Sequence, residues 1–318
     1  MLSRTAPRPG LFGAPASRLG PYHLIEVLDQ SASGVTWLAR AHQRPWGVKL
    51  SLRPDDEGSI LREGENLNQI NDVHVVRLAG QGRAADGRPY LVLEWLEGEP
   101  LDVHLRRMGQ LSVARALHLT RQLLLGLRAV HAAQLVHRDL RLPGLFLARE
   151  GGREVLKLID LGSALPWGTW APRAPMPEPS ACDPRDDLYA VGLVLYELVT
   201  GHPPFVEGRP GDGPLAWMHA HAQPLHPGIA LPEGLWRLIL TLLEKRREDR
   251  FRTVDQALEA LERVTRHPSF QPFLERADPD LVVPATPRST RNAPSTWRPR
   301  WWWPAVPLVL GVIAFAIR

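Results

Sequence analysis

Residues 137–144 read HRDLRLPG, and residues 160–162 read DLG. The first stretch follows a segment in which apolar residues recur largely at three- and four-residue steps from Val113 to His131, a period that predicts a helix. The second follows the apolar run VLKLI, residues 155–159, which is typical of a strand. The chain thus passes from a helix to a polar loop, and then through a strand to a second acidic loop.

Outward from these loops, the chain divides into a strand-rich half and a helical half. Between Tyr22 and Glu97 the apolar residues fall in short groups separated by Gly, Pro and Asp, which predicts strands, and one helix is expected at about Ile60–Asn71. After Leu101 the pattern becomes helical. Further helices are expected at 188–200, 235–243 and 253–264, the last with Thr253 as its N-cap. This order predicts an α+β protein in two lobes.

The two ends of the chain differ in composition from this body. Residues 1–20 mix Pro, Gly and Arg and lack the apolar run of a secretory signal, which predicts a flexible leader. Residues 266–300 are rich in Pro, Arg, Ser and Thr and have no apolar period, which predicts an extended linker.

The last segment is strongly apolar. Residues 301–317 read WWWPAVPLVLGVIAFAI, an uncharged run that could span about 25 Å as a helix. Tryptophans at one edge and the preceding Arg298 and Arg300 fit an interfacial belt and a cytoplasmic flank. The run therefore predicts a single span through a lipid bilayer. Pro304 and Pro307 keep open the alternative of a hydrophobic tail docked on the domain or on a partner.

The composition is that of an ordinary folded protein. Hydrophobic residues make up 44% of the 318 residues and charged residues 23%, which argues against a disordered chain or a protein with many spans. The net charge of +4 comes from scattered arginines without a lysine-rich, aromatic-interleaved stripe, so no nucleic-acid partner is expected. The single cysteine, Cys182, allows neither an internal disulfide nor a cysteine zinc site, which favours a reducing compartment.

Several further stretches accompany the two loops. Lys49 ends the run WGVKL, Glu63 follows 14 residues later on the predicted helix, and residues 187–205 read DLYAVGLVLYELVTGHPPF. Together with HRD and DLG, these stretches resemble the bacterial, eukaryotic-type (Hanks-type) serine/threonine protein kinases over about residues 22–265. The resemblance implies a small β-rich N-lobe with one helix, residues 21–97, and a larger helical C-lobe, residues 98–265.

The resemblance also implies roles for the charged residues. Asp139 would accept the proton of the substrate hydroxyl, and Asp160 would hold a magnesium ion between the phosphates of ATP. Lys49 would contact the α- and β-phosphates, with Glu63 holding its ammonium group in place. Arg141 stands where serine/threonine kinases usually have a lysine that contacts the γ-phosphate.

Further implied contacts with ATP lie in the adenine pocket and the phosphate-covering loop. Leu93 resembles the gatekeeper, the main chain from Glu94 to Leu96 would hydrogen-bond adenine, and Glu97 could meet the ribose hydroxyls. Phe146 would lie below the adenine base, and Thr36 and Gly47 would lie above it. Ser31 and Gly34 would belong to the phosphate-covering loop.

The sequence departs from the family pattern at two sites. Asp29 and Ser31 stand where the phosphate-covering loop has glycines, and Gly144 stands where the family has an asparagine that binds a second magnesium. The expected cofactors are ATP and Mg²⁺, with Mn²⁺ as an alternative metal. Two functions follow: a kinase acting on protein substrates, in which a tyrosine acceptor stays open beside serine and threonine, or a pseudokinase scaffold with weak or no phosphotransfer.

Further expectations concern the wider family pattern, the membrane and the oligomeric state. Glu178 is expected to pair with Arg250. Leu67, Leu78, His137 and Leu161 are expected to form a column between the lobes. Between Asp160 and Glu178 and just beyond, the hydroxyls open to phosphorylation are those of Ser163, Thr169 and Ser180. The bilayer would be the bacterial inner (cytoplasmic) membrane with the kinase domain on its cytoplasmic side, and a homodimer stays open.

Overall fold

The computed structural model describes residues 18–31, 34–53, 57–173, 176–204, 228–267 and 270, with main chain alone for residues 57, 172, 173 and 176–180. All of these residues belong to one compact unit. The predicted span, residues 301–317, and most of the predicted leader and linker lie outside the described residues. Among the helices that are described, none is long and apolar enough to cross a membrane.

Six antiparallel strands form the N-terminal sheet, in the order β1-β2-β3-β4-β6-β5. Their bounds are β1 Arg18–Leu19, β2 Tyr22–Gln30, β3 Val35–Ala41, β4 Arg44–Leu50, β5 Leu78–Arg83 and β6 Pro89–Leu93. The flexible leader was predicted to run through residue 20, but the folded part already begins at Arg18. Arg18–Leu19 pairs with β2, and Leu19 is buried in an apolar cluster with Val48 and Val92. Burial of this one side chain fixes the edge strand to the sheet.

Helix α1, Glu57–Asn68, packs on this sheet. It begins and ends about three residues before the expected bounds of 60–71. It ends early because the N–H groups of Gln69 and Ile70 bond to oxygens three residues back, a tight turn that buries Ile70. At Gly64 a Cβ atom would lie 2.8 Å from Cδ2 of Leu91 on β6, so this glycine permits the close approach of helix and sheet that places Glu63.

The remaining helices form the C-terminal part. They are α2 Leu101–Met108, α3 Val113–Ala132, α4 Pro184–Thr200, α5 Glu233–Leu242 and α6 Val254–Arg266. Helix α4 starts four residues before the expected Leu188, because Asp183 accepts a hydrogen bond from the N–H of Arg185 at 2.9 Å and Pro184 suits the first helical position. The predicted N-cap is confirmed: Oγ1 of Thr253 accepts from the N–H of Gln256 at 3.3 Å.

Helix α6 continues one residue beyond the C-lobe boundary expected at 265, and the packed region extends further still. Phe270 is 1% exposed and lies in the main apolar cluster, so part of the stretch predicted as linker contributes to the core. The physical reason is the aromatic side chain itself, which gains about 2–3 kcal/mol from full burial.

Short strands frame the two acidic loops. They are β7 Gly98–Pro100, β8 Leu135–Val136, β9 Leu145–Glu150, β10 Arg153–Leu158, β11 Leu165–Pro166, β12 Trp170–Arg173 and β13 Met176–Ala181. Strand β9 lies between β10 and β7, β8 pairs with β11, and β12 pairs with β13. Because β8 and β9 flank residues 137–144 while β10 and β11 flank residues 160–162, the pairings β9–β10 and β8–β11 hold the two acidic loops side by side.

One large apolar cluster joins the strands and helices. Helices α3 and α4 supply its centre, with Leu119, Leu127 and Leu195 each 0% exposed. Of the expected column, Leu67 and Leu161 are buried in this cluster and Leu78 packs against it, while His137 is 1% exposed. The burial of these four side chains agrees with a column, and it agrees equally with an ordinary core.

Candidate active site

Three charged side chains from three different elements meet in one cluster. Lys49 comes from β4, Glu63 from α1 and Asp160 from the loop after β10. Nζ of Lys49 lies 2.6 Å from Oε2 of Glu63 and 3.5 Å from Oδ1 of Asp160. Glu63 is fully buried, whereas the side chain of Asp160 is 48% exposed. The lysine therefore links a buried carboxylate to one that solvent and ligands can reach.

Burial and charge set the protonation of this cluster. Burial raises the pKa of Glu63 to about 7, against the opposing effect of Lys49. For Lys49, burial acts to lower the pKa, but the carboxylates of Glu63 and Asp160 outweigh it and the pKa lies above its ordinary value. Burial would raise the pKa of Asp160, yet Lys49 and the N–H of Gly162 hold it below its ordinary value. At neutral pH a charged lysine thus faces an ionised Asp160.

The loop that carries Asp160 is anchored twice. The N–H of Gly162 donates to Oδ1 of Asp160 at 3.1 Å, which orients the carboxylate. Asn66 on α1, 4% exposed, donates its side-chain amide to the main-chain oxygens of Leu161 and Ala164, each at 3.1 Å. No sequence pattern singles out Asn66, because its partners lie far away along the chain.

A buried carboxylate fixes the other loop. Oδ2 of Asp187 accepts the N–H of His137 at 2.8 Å, and Oδ1 accepts the N–H of Arg138 at 2.9 Å. Oδ2 also lies 2.8 Å from Nε2 of His131. Arg138 has a φ of 70°, a left-handed conformation that non-glycine residues seldom adopt. The contacts of Asp187 hold this strained residue, and with it the position of Asp139.

The pKa of Asp187 reflects this role. Complete burial would raise it, but His131 and the main-chain donors hold it below its ordinary value, so the carboxylate stays ionised. In the sequence, Asp187 stands out only as the start of the stretch at residues 187–205, and no contact of its carboxylate was predicted. The histidine at 131 was assigned only to the apolar face of the helix.

Asp139 itself is accessible to solvent. Its side chain is 49% exposed, and Oδ1 lies 3.4 Å from Nε of Arg141, whose side chain is 58% exposed. An exposed carboxylate beside a fixed positive charge can accept a proton from a hydroxyl group while the arginine remains available to an anionic ligand.

Residues 137–141, which the family resemblance makes the catalytic loop, are followed by a 3₁₀ turn, Leu142–Gly144, that leads into β9. A Cβ atom built on Gly144 would meet only the main-chain oxygen of Asp139, at 4.0 Å, so the site has room for a side chain and lacks one. Within the described ranges no group of three or more His, Cys, Asp or Glu side chains could hold a metal ion. Since Mg²⁺ commonly binds one or two carboxylates together with water and phosphate oxygens, Asp160 alone fits it as a protein ligand.

The predicted phosphate-covering loop joins β2 to β3, and Ser31 and Gly34 are its described residues. The N–H of Ser31 donates to the oxygen of Gly34 at 2.9 Å. A Cβ atom at Gly34 would lie 2.5 Å from the main-chain oxygen of Leu50, so this position requires glycine. Asp29 pairs with Thr36 across the two strands and is exposed, while Thr36 is half-buried.

The segment after β6, expected to bind adenine, is held by a buried lysine. Lys157 on β10 is 4% exposed, and its Nζ lies 2.8 Å from Oε1 of Glu94 and 3.0 Å from Oε1 of Glu150. The N–H of Glu94 donates to the oxygen of Arg77 at 3.0 Å, and the N–H of Arg77 donates back to Oε1 of Glu94 at 3.0 Å. Both the main-chain N–H and the carboxylate of Glu94 are thus engaged within the protein.

The other residues expected in the adenine pocket lie on neighbouring elements. Gly47 is opposite Leu93, and a Cβ atom on Gly47 would lie 3.7 Å from Cβ of Leu93, so the missing side chain leaves ordinary space. Phe146 on β9 is half-buried. Leu96 packs against the main cluster, whereas Glu97 is exposed and its oxygen accepts the N–H of Arg149 at 2.7 Å.

Arg250 has a partner other than the one the sequence suggested. Its Nη1 lies 3.3 Å from Oδ1 of the buried Asp186, and its guanidinium stands 4.8 Å from the centre of the Tyr189 ring. Arg247 also pairs with Asp186, at 2.6 Å. The side chain of Glu178 lies outside the described residues, so the expected Glu178–Arg250 pair stays a prediction.

Comparison with known families agrees with this geometry. The model of the protein kinase domain matches residues 42–261 of the chain. The matched range contains Lys49, Glu63, Asp139 and Asp160.

Among similar curated proteins are bacterial serine/threonine-protein kinases. PknH of Mycobacterium tuberculosis is 30% identical over 275 residues, which cover 77% of this chain and 42% of the relative. PksC of Streptomyces coelicolor is 31% identical over 258 residues, covering 72% and 44%. Pkn1 of Myxococcus xanthus is 29% identical over 274 residues, covering 77% and 38%. The chain spans less than half the length of these relatives.

Proposed function

We propose that this chain, which belongs to the bacterial Hanks-type branch of the protein kinase family, transfers the γ-phosphoryl group of ATP to hydroxyl groups of proteins. The observation that carries the proposal is the joint placement of Lys49, Glu63 and Asp160 in one cluster, in which the lysine faces the ionised Asp160, while Asp187 separately anchors the loop that carries Asp139. Phosphoryl transfer depends mainly on positioning and electrostatic stabilisation, and these groups supply both.

Buried and exposed residues have different roles in the proposed reaction. Lys49 is fixed by Glu63 and presents its charge to the phosphates, while Arg141 offers a second, exposed cation. Asp139 is the exposed base that accepts the hydroxyl proton of the acceptor. The connection between β2 and β3, which hydrogen bonds between the main chains of Ser31 and Gly34 close, would cover the phosphates.

A bound divalent ion would neutralise developing charge on the phosphate oxygens. Asp160 would hold it, since its carboxylate is ionised and half-exposed. Gly144 supplies no second protein ligand, so we expect Mg²⁺, or Mn²⁺ in its place, to rely on water and phosphate oxygens for its other positions.

The alternative function is a pseudokinase scaffold that binds nucleotide weakly and signals by its shape. Gly144 and the exposed Asp29 at the phosphate-covering loop favour it, because they remove a metal ligand and place a negative charge on this loop. A scaffold has no chemical need for the exposed Asp139 and Asp160, however, and we therefore favour the enzyme.

We further propose that residues 301–317 tether the kinase domain to the cytoplasmic face of the bacterial inner membrane. The support is the uncharged run itself with its edge tryptophans and flanking arginines. The test is fractionation of cells that express the full chain or a chain ending at residue 270. Recovery of only the full chain with membranes is expected, and recovery of both with the soluble fraction would overturn the tether.

Phosphate transfer from γ-labelled ATP tests the main proposal. The full chain is incubated with Mg²⁺ or Mn²⁺ and a generic protein acceptor, beside Asp139→Ala, and labelled residues are identified by mass spectrometry. We expect phosphoserine and phosphothreonine that disappear in the variant. Labelling that does not depend on Asp139, or that falls only on tyrosine, would overturn the proposed activity.

A further inference from the structure

Trp167 belongs to the activation segment, the stretch that runs from Asp160 to Glu178. Its main-chain N–H donates to the oxygen of Gln134 at 3.0 Å, and its indole N–H donates to the oxygen of Leu135 at 3.0 Å. The acceptors Gln134 and Leu135 lie three and two residues before His137, the first of the HRD residues. One tryptophan therefore makes two hydrogen bonds from the activation segment to the entrance of the catalytic loop.

The ring of Trp167 makes a third contact. Its centre lies 6.2 Å from the centre of the His131 ring, edge to face at 84°. His131 in turn contacts Asp187, and Asp187 accepts the N–H groups of His137 and Arg138. Trp167 is thus in direct contact with the residue that positions the carboxylate holding the catalytic loop.

The chain geometry around Trp167 fits an anchor of this kind. Strand β11, which directly precedes it, pairs with β8 through Val136 and Leu165. Gly168 follows with a φ of 74°, and its N–H donates to the oxygen of Cys182 at 2.9 Å. The segment is therefore held on both sides of Trp167 by main-chain hydrogen bonds between uncharged groups.

We propose that Trp167 is a positioning residue that fastens the activation segment to the catalytic loop, so that Asp139 is held in place without a phosphate group on the segment. The effect on Asp139 rests on the proposed kinase activity. The attachment of the activation segment to the catalytic loop does not depend on that activity. The contacts of Trp167 join an indole to a histidine ring and to main-chain groups. None of them requires the added negative charge by which phosphorylation orders a loop.

The variants separate the two parts of the side chain. Trp167→Phe keeps an aromatic ring beside His131 and removes the donor to Leu135, whereas Trp167→Ala removes both. Trp170→Ala is the matched control, since Trp170 is in the same segment and 74% exposed. Initial rates give kcat and KM for ATP with the full chain, and the thermal midpoint of each variant reports whether it folds.

We expect kcat to fall about tenfold in Trp167→Ala and about threefold in Trp167→Phe, equivalent to about 1.4 and 0.7 kcal/mol, while KM for ATP changes less than twofold. Trp170→Ala should stay within twofold of the wild type in both. Equal kcat in the folded Trp167→Phe, Trp167→Ala and wild-type proteins would overturn the proposal.

Phosphate independence has its own measurement. Full chain treated with a phosphatase, and shown by intact mass to carry no phosphate, should start at the same rate as untreated chain. A tenfold lower initial rate, or a lag that ends as phosphate returns to the segment, would overturn the proposal.

Hydrogen exchange tests the anchor without any need for activity. In Trp167→Ala, the amides of residues 135–138 and those of residues 165, 167 and 168 should exchange at least tenfold faster than in Trp170→Ala. If wild-type transfer is absent but this difference is found, the kinase proposal fails while the anchor stands. If the exchange rates are equal, the anchor itself is wrong.

Discussion

Nδ2 of Asn66 lies 3.1 Å from the main-chain oxygen of Leu161, the middle residue of the DLG loop. The same nitrogen donates to the oxygen of Ala164 at 3.1 Å. Asn66 lies one turn beyond Glu63 on α1. The helix that holds Lys49 in place therefore also holds the loop that carries Asp160, through one buried amide.

Replacement of this amide should loosen both partners. Asn66→Ala leaves two carbonyl oxygens without their donor, so we expect the free energy of unfolding to fall by about 1–3 kcal/mol. KM for ATP should rise, because Asp160 is no longer held beside Lys49. Denaturant unfolding and initial rates measure the two effects. Asn68→Ala, an exposed asparagine on the same helix, is the control, and an equal effect in both variants would refute the coupling.

The raised pKa of Glu63 predicts how activity depends on pH. Below about 7 the carboxyl group takes up a proton and no longer pairs fully with Lys49, so the affinity for ATP should fall as the pH decreases through this value. Titration of ATP binding between pH 5.5 and 8.5, a range chosen around that pKa, measures the effect. Glu63→Gln should bind ATP weakly with no inflection near pH 7. An unchanged inflection in this variant would assign it to another group.

The raised pKa of Glu63 also affects the stability of the fold, which should decrease with rising pH where the affinity for ATP increases. A carboxyl group whose pKa is raised in the folded state stabilises the fold at pH values below its unfolded pKa, and this contribution is lost as the pH rises through the folded pKa. For Glu63 the window runs from the ordinary value of 4.5 to about 7. Within this window the thermal midpoint of the wild type should decline with pH relative to that of Glu63→Gln. Parallel curves for the two proteins would contradict the raised pKa.

Replacement of Gly144 by asparagine, the residue that the family has at this position, tests whether a second metal ligand can be restored. The site has room for a side chain, since a Cβ atom meets only the oxygen of Asp139 at 4.0 Å. Gly144→Asn should lower the Mg²⁺ concentration for half-maximal rate by on the order of tenfold, or about 1.4 kcal/mol, through an added oxygen ligand. Gly144→Ala fills the space without a ligand and serves as the control. If both variants shift the metal dependence equally, the asparagine position is not a metal site in this chain.

Asp187 should be costly to neutralise. In Asp187→Asn the side-chain NH₂ group would face an N–H donor, either of His137 or of Arg138, and one buried hydrogen bond becomes a repulsive contact. We expect the free energy of unfolding to fall by about 3 kcal/mol and kcat to fall with it. Asp249→Asn, an exposed carboxyl group, should change stability by less than about 0.5 kcal/mol in the same denaturant titration. A stability loss equal to that of the control would show that Asp187 does not hold the loop.

The sequence revealed the residues whose spacing along the chain carries information. Lys49, Glu63, Asp139 and Asp160 stand at characteristic positions after strands or on a helix, and the structure brings Lys49, Glu63 and Asp160 together. Helices such as α3 were predictable because a buried face repeats with the helical period. Local order of this kind is visible without any knowledge of tertiary contacts.

The anchoring residues were not predictable for the opposite reason. Asn66, Trp167 and His131 act through partners that are distant in sequence, and nothing in their neighbours indicates a buried hydrogen bond or a ring contact. The edge strand at Arg18–Leu19 was missed because two residues are too short for an apolar alternation. Each of these features depends on tertiary contacts, which cannot be predicted from the periodicity of a single sequence.

If the proposed function is right, Asp160 suffices as the protein's own metal ligand for phosphoryl transfer. The most direct test is the initial rate of label transfer from ATP as a function of Mg²⁺ for wild type, Asp160→Asn and the surface control Asp86→Asn. We predict a loss of at least about 100-fold in Asp160→Asn and no loss in the control. A wild-type rate in folded Asp160→Asn, or a folded wild type with no transfer at any Mg²⁺ concentration, would contradict the claim.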